Sequence, residues 1–281
     1  MYLRADAFRN KLSEQLSGVG MELGPGQICF EAKNAESLLL VDKLPSELHK
    51  ELFPELGPNV QIVEPDLLVD FDRDGLKSIP DRDFDFVIAS HLLEHLAQPF
   101  RILDEIWHKL SFGGVLILFL PDRRRTFDRN RKCPTFEHFL HEYLENSSQV
   151  NEEDLYDYLL KVENYSWDRK MNKFVERHLE RSIHVHAWTD FEFVELLSRM
   201  QTFAQFRFVL VDSISASSNP DFEEFGLVLQ KVASIDGQPD LLKSWHSQNP
   251  KIDSLSRSLL ADSFKQFRYL AGKQLRNFWP R

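Results

Sequence analysis

Cysteine is scarce: the 281 residues contain two, Cys29 and Cys133, far apart and outside any metal-ligand spacing. That excludes a disulfide scaffold and predicts reduced thiols in a cytoplasmic protein. Long apolar runs are missing too. The longest, Val115 to Leu120, falls far short of the ~20 residues that cross a bilayer. The opening MYLRADAFRNKLSEQL reads as an amphipathic helix, so neither a membrane span nor a signal peptide is expected. Positive charge is in deficit, with 34 Lys and Arg against 44 Asp and Glu and a net charge of −10. No nucleic-acid partner is expected, because phosphate binding needs a basic footprint. Internal repeats and low-complexity tracts are absent, and 11 Gly with 13 Pro indicate neither a fibrous nor a disordered chain.

What is present is a globular composition, 42% apolar, with 23 Phe to build a core. Short apolar runs bounded by charged or turn residues, Ser37 to Leu44, Val60 to Val63, Phe84 to Ser90 and Gly114 to Leu120, predict buried parallel strands. Between the last two, Pro99 to Leu110 carries Ile102, Leu103, Ile106, Trp107 and Leu110 at helical spacing. This is a βαβ crossover, so helices should cover both faces of one sheet. A helical insertion is predicted over 146–182. Thr189 to Glu192 fits a capping box opening another helix, and Phe206 to Ile214 with Phe225 to Val232 suits an antiparallel hairpin. The expected division is a main domain over 1–232 and a helical extension over 233–281. The extension's stripe of Leu260, Phe264, Phe267, Ala271, Leu275 and Phe278 packs on its own domain or serves a partner or homodimer contact.

Three segments carry chemistry. Gly20 to Gly26 (GMELGPG) places Glu22 at a strand end, before Gly24, Pro25 and Gly26, where glycines let backbone approach a ligand. Asp42 closes the next strand, suitably placed to accept hydrogen bonds from a ribose diol. The third, Asp81 to Leu96 (DRDFDFVIASHLLEHL), leads through a helix to Gly113-Gly114, a strand, and Pro121-Asp122. With these residues the chain resembles the class I S-adenosylmethionine-dependent methyltransferases, in particular the small-molecule, methyltransferase type 11-like group. The resemblance covers about residues 18–135. Beyond them it rests on element order and on IHVHAW (183–188).

The resemblance implies a doubly wound, mostly parallel seven-stranded α/β sheet of the Rossmann-like methyltransferase kind, with a helical insertion and a C-terminal helix. It implies S-adenosylmethionine as cofactor, S-adenosylhomocysteine as product, and a small-molecule acceptor as partner. Glu22, Gly24 and Gly26 would hold the methionine part of the cofactor, Asp42 the ribose, and Asp70 the adenine amine, with Asp66, Asp72 and Asp74 as rivals. Ser90 and His91 would border the transferred methyl. Ile28 stands where the family often has a third glycine, which leaves open a methyltransferase-like module that acts only by binding.

Imidazole suits proton removal near neutral pH, so His91 and His186 are the expected catalytic bases, with His138 and His184 also in view. His184 and His186 alternate on a strand-like segment and should face one side. In Asp122 to Lys132 (DRRRTFDRNRK) six basic residues lie beyond the last parallel strand, so Arg124 and Arg129 are expected to clamp an anionic acceptor. The alternative is a solvated basic loop. His91, Glu94 and His95 also spell H-x-x-E-H, a zinc-protease pattern that needs a helix. Because it begins where a strand stops, no metal is expected.

Overall fold

The computed structural model describes residues 5–27, 29–53, 62–80, 83–145, 148–163, 183–218 and 223–249. Ile28, the second half of the expected insertion with Met171 to Leu179, and the terminal stripe beyond Asn249 lie outside them. The helices are α1 (Ala5–Gln15), α2 (Ser46–Leu52), α3 (Phe71–Asp74), α4 (Pro99–Lys109), α5 (Phe136–Glu145), α6 (Glu152–Lys161), α7 (Asp190–Met200) and α8 (Leu241–Gln248). The strands are β1 (Ser17–Leu23), β2 (Asn34–Asp42), β3 (Leu67–Leu68), β4 (Phe84–Ser90), β5 (Leu110–Pro121), β6 (Phe208–Ile214) and β7 (Glu224–Lys231).

They form one seven-stranded sheet in the order β3-β2-β1-β4-β5-β7-β6. The first five pair in parallel, and β7 runs antiparallel between β5 and β6. This is the expected doubly wound α/β architecture. The hairpin is there too, with β7 set inward and β6 on the edge. One face of the sheet carries the larger core, in which Phe100, Ile106, Trp188, Phe193 and Leu197 from α4, the 183–189 segment and α7 pack on β4 and β5. The other face is covered by Leu12 of α1 and Leu16 just after it, with Phe30, against Phe86, Ile88, Ile117 and Phe119. β1 lies between β2 and β4, so the order reverses beside it and opens a crevice at the strands' carboxyl ends.

Local signals hold where the chemistry is local. α4 starts with Pro99 at its first turn, where a missing N–H costs nothing. Thr189 and Glu192 make the capping box in full. The third strand is a correction: Ile62 to Glu64 lie outside the sheet, and pairing with β2 covers Leu67 and Leu68. Pro65 has no N–H to donate, so the ladder starts after it, with Asp66 N–H on Leu40 O and Val69 N–H on Asp42 O, both 2.8 Å. The segment 183–189 is likewise not a strand. The helical layer expected from 146 begins earlier, with α5. α8 lays Leu241, Leu242 and Trp245 into the main core. Among the described residues no helix is long and apolar enough to cross a membrane.

Candidate functional site

At the end of β1 the backbone turns through Gly24 and Gly26, whose φ angles are +66° and +56°. Those values belong to the left-handed region, which side chains other than glycine's occupy at a cost. A Cβ on Gly24 would meet Leu92 at 3.1 Å. Asp42, last in β2, ties two loops together. Its Oδ2 accepts from Gly26 N–H at 3.1 Å, and Oδ1 accepts from Lys43 N–H at 2.6 Å. A cavity of about 440 Å³ opens here, lined among others by Gly24, Gly26, Asp42, Asp70, Asp72, Ser90 and His91. Six expected site residues meet there.

Glu22 does not line this cavity. It is buried behind the turn, where it accepts from Phe30 N–H at 2.9 Å and faces Cys29 Sγ at 3.2 Å. Burial raises its pKa, and burial with the neighbouring Glu22 pushes the Cys29 thiol up to about 12. Its place is therefore to brace the chain after the glycine turn. On the cavity's far side Asp70 caps α3 through Arg73 N–H at 3.2 Å and pairs with Lys43 Nζ at 3.2 Å. Asp72 accepts from Ala97 N–H at 2.9 Å, and burial pushes it up to about 6. Both carboxylates border the cavity, so the rivalry between them stands.

His91 follows β4 with a φ of +50°, the one described non-glycine residue in that region. Its N–H donates to Phe119 O at 2.8 Å. Its ring stands between two carboxylates, Nε2 at 2.7 Å from Glu224 Oε2 and Nδ1 at 3.5 Å from Glu94 Oε1. Burial works to lower its pKa, but the hydrogen bonds to Glu224 and Glu94 prevail and lift it to about 10. Glu224, despite burial, is held down to about 2 by His91 and Arg9. Arg9 grips Glu224 with Nε at 3.0 Å and Nη2 at 2.9 Å, reaches Ser90 Oγ at 3.0 Å, and lies 3.7 Å over the Phe119 ring. Two flanking carboxylates favour the protonated form of the His91 ring, which counts against its expected role as base.

His91 also borders a second cavity of about 530 Å³, with Arg125, Phe127, Arg129, Lys161 and His184 on its walls. Lys161 pairs with Asp157. Arg125 and Arg129 have no ion-pair partner among the described residues. Arg124 is a correction, since its guanidinium is used inside the fold: it bonds Asp122 at 2.9 and 2.5 Å and Asp190 at 2.8 Å. Arg123 is spent on Glu192. Arg131 is buried on Asp128, Asp157 and the carbonyls of His184 and Val185. The basic run therefore divides into a structural half and the cavity-facing pair Arg125 and Arg129.

His184 and His186 do not share a side. His184 Nδ1 meets Asp128 Oδ2 at 2.6 Å at the second cavity, a partnership invisible across a separation of 56 positions. His186 is wholly buried beside His138, Phe139 and Trp188 and lines neither cavity. It is therefore too remote from them to take a proton there. The H-x-x-E-H motif spans a strand end and one tight turn, Leu93–His95, so its histidines do not stack on a helix. His95 Nδ1 is used by Ile183 O at 2.8 Å. Donor atoms of Glu94, His95 and His184 nevertheless lie within 4.8 Å of one another.

Residues 23–118 match a family model described as a methyltransferase domain. No curated protein matches the chain. An S-adenosylmethionine dependent methyltransferase from Mesorhizobium loti is 13% identical over 80% of this chain and 96% of its own, with a TM-score of 0.45. The N-methyltransferase NodS from Bradyrhizobium japonicum, solved with S-adenosyl-l-homocysteine, is 12% identical over 82% and 86%, with a TM-score of 0.42. A Rhodobacter sphaeroides structure whose name assigns it to the Zn-dependent alcohol dehydrogenases reaches 0.47 at 12% identity over 81% and 89%. Likeness at this level says nothing about activity. The match covers about a third of the chain, and over that segment the chain resembles a methyltransferase domain.

Proposed function

We propose that the chain methylates a small acceptor that carries a carboxylate or phosphate. The observation behind this is that the glycine-and-carboxylate cavity and the cavity with Arg125 and Arg129 share one residue, His91. A donor in the first and an acceptor in the second would meet there.

The first cavity suits the cofactor. Gly24 presents backbone where a Cβ would crowd Leu92, Asp42 keeps a lone pair on Oδ2 beyond its one backbone bond for the ribose hydroxyls, and Asp70 or Asp72 would take the adenine amine. S-adenosylmethionine, when bound, supplies an electrophilic sulfonium methyl, so the protein need only align the reactants, exclude water and accept a proton. The imidazolium of His91 is flanked by Glu224 and Glu94, which keeps its charge from opposing a cationic ligand. His184 takes the role first expected of His91 and His186. Its Nδ1–H is held by the Asp128 carboxylate, which leaves Nε2 as the proton-accepting nitrogen. Arg125 and Arg129 would hold the acceptor's anionic group, Arg129 as foreseen.

Isothermal titration calorimetry against S-adenosylmethionine and S-adenosylhomocysteine tests the first half. Asp42→Ala should weaken binding about 10- to 150-fold, the worth of hydrogen bonds to a charged group. Methyl transfer from labelled cofactor into a panel of carboxylated and phosphorylated small molecules tests the second half. His184→Ala should lower turnover at unchanged cofactor affinity, and Arg129→Glu should raise the acceptor's KM. Folded protein that binds neither cofactor form would end this reading, and transfer only to uncharged acceptors would end its anionic part.

A further inference from the structure

Outside both cavities, α5 carries His138 and Glu142 four residues apart and hence on one face. α6 brings Asp154 against them and the 183–189 segment brings His186. One donor atom of each lies within 4.8 Å of all the others. His138 Nε2 is 3.0 Å from Glu142 Oε1 and 3.1 Å from Asp154 Oδ2, and His186 Nε2 is 3.7 Å from Glu142 Oε2. Donors at the corners of a tetrahedron with bonds of ~2.0–2.1 Å stand ~3.3 Å apart, so these separations suit a shared ion.

Hydrogen bonding accounts for the cluster only in part. His138 Nε2 lies at ion-pair distance from Glu142 Oε1 and Asp154 Oδ2, whereas both ring nitrogens of His186 and Glu142 Oε2 are buried without a hydrogen-bond partner among the described residues. His186 is 0% and Asp154 6% exposed, and the rings of Phe139 and Trp188 close over His186. Buried polar groups left in this way need an explanation, of which an ion is one.

We infer that His138, Glu142, Asp154 and His186 form a closed binding site for a zinc ion. Two imidazole nitrogens and two carboxylate oxygens are ligands zinc accepts in four-coordinate structural sites. Two carboxylates and two neutral imidazoles balance a dication, so the buried site is neutral overall. Four protein donors leave no open position, and the ion's work is to fasten α5, α6 and the 183–189 segment together. That segment is also held by His186 N–H on Glu94 O at 3.0 Å, and two residues earlier it carries His184 to the second cavity. The zinc therefore positions His184 and takes no part in methyl transfer. The cluster of Glu94, His95 and His184 offers three donors and lies between the two cavities already described, His95 lining the first and His184 the second.

The full-length chain, purified, freed of loosely held metal and analysed by inductively coupled plasma mass spectrometry, should hold one zinc. Asp154→Asn and His138→Gln should reduce zinc to a small fraction of that with a native circular dichroism spectrum, whereas Glu94→Gln should retain it. Wild-type protein stripped and reloaded with Co²⁺ should show the visible absorption of tetrahedral cobalt, and Asp154→Asn should not. Zinc kept by Asp154→Asn but lost from Glu94→Gln would place the ion at the other cluster and overturn the proposal. Failure of the wild type to take up either metal would also overturn it and leave an ion-pair cluster. If the variants fail to fold, the cobalt spectrum of the wild type decides alone. None of these readouts depends on methyl transfer.

Discussion

Replacing Glu224 by Gln tests the charge state of the residue on which both cavities meet. The carboxylate lies 2.7 Å from His91 Nε2 and is the main support of a ring lifted to about 10. The amide still accepts a hydrogen bond but carries no charge, and the difference between a charged and a neutral bond is about 1–1.5 kcal/mol. At about 1.4 kcal/mol per pKa unit this is about one unit. Because the His91 side chain is 42% exposed, solvent screening places the effect at the lower end of that range, and Glu94 still faces Nδ1. Titration of the His91 ring by NMR, assigned by its loss in His91→Asn, should therefore move from about 10 to about 9. The stability consequence has a definite sign. A raised histidine pKa means that the folded state binds the proton more tightly, so the contribution is complete below about 6.5 and is lost as pH rises through about 10. The urea midpoint of the wild type should fall between pH 8 and 10 by more than that of Glu224→Gln. A wild-type ring titrating near 6.5, or one indifferent to the substitution, would refute the reasoning and return His91 to the candidates for base.

Arg124→Ala should cost about 1–3 kcal/mol in thermal unfolding, because it takes a half-exposed charged partner from the buried carboxylates Asp122 and Asp190. Arg129→Ala should stay within about 0.5 kcal/mol, and a reversed ranking would undo the division of the basic run. Asp72, pushed up to about 6 by burial, binds its proton more tightly when folded, so its contribution to stability declines as pH rises from about 4 to about 6. Asp72→Asn keeps an acceptor for Ala97 N–H and should flatten this slope, adding of order 2 kcal/mol at pH 7. Urea denaturation at both ends of the window, with the variant less stable at pH 7, would contradict that account.

The sequence itself shows the parts whose causes are local. Gly24 and Gly26 are legible because a left-handed turn at a strand end admits little else. Asp42, Ser90 and His91 are legible because apolar runs mark where strands stop, and in an open parallel sheet strands stop at the ligand. The capping box of Thr189 and Glu192 needs only its own four residues. Pro65 is also in plain view, and weighing its missing N–H would have placed the third strand correctly at Leu67.

Only the tertiary structure decided what each charge is for. Glu224 meets His91 across 133 positions and Arg9 across 215, and no pattern along the chain couples them. The arginines of the basic run look alike in sequence, yet Arg124 and Arg131 are consumed by buried acids while Arg125 and Arg129 face a cavity. His184 and His186, two residues apart, part company because their segment joins no ladder to enforce alternation. Where most strands and helices fall along the chain, and the glycine turn after β1, follow from short-range sterics and hydrophobic pattern, which sequence spells out. Protonation state and the assignment of acid, base and ligand follow from burial and from charges brought together by folding, and these exist only once the chain has closed on itself.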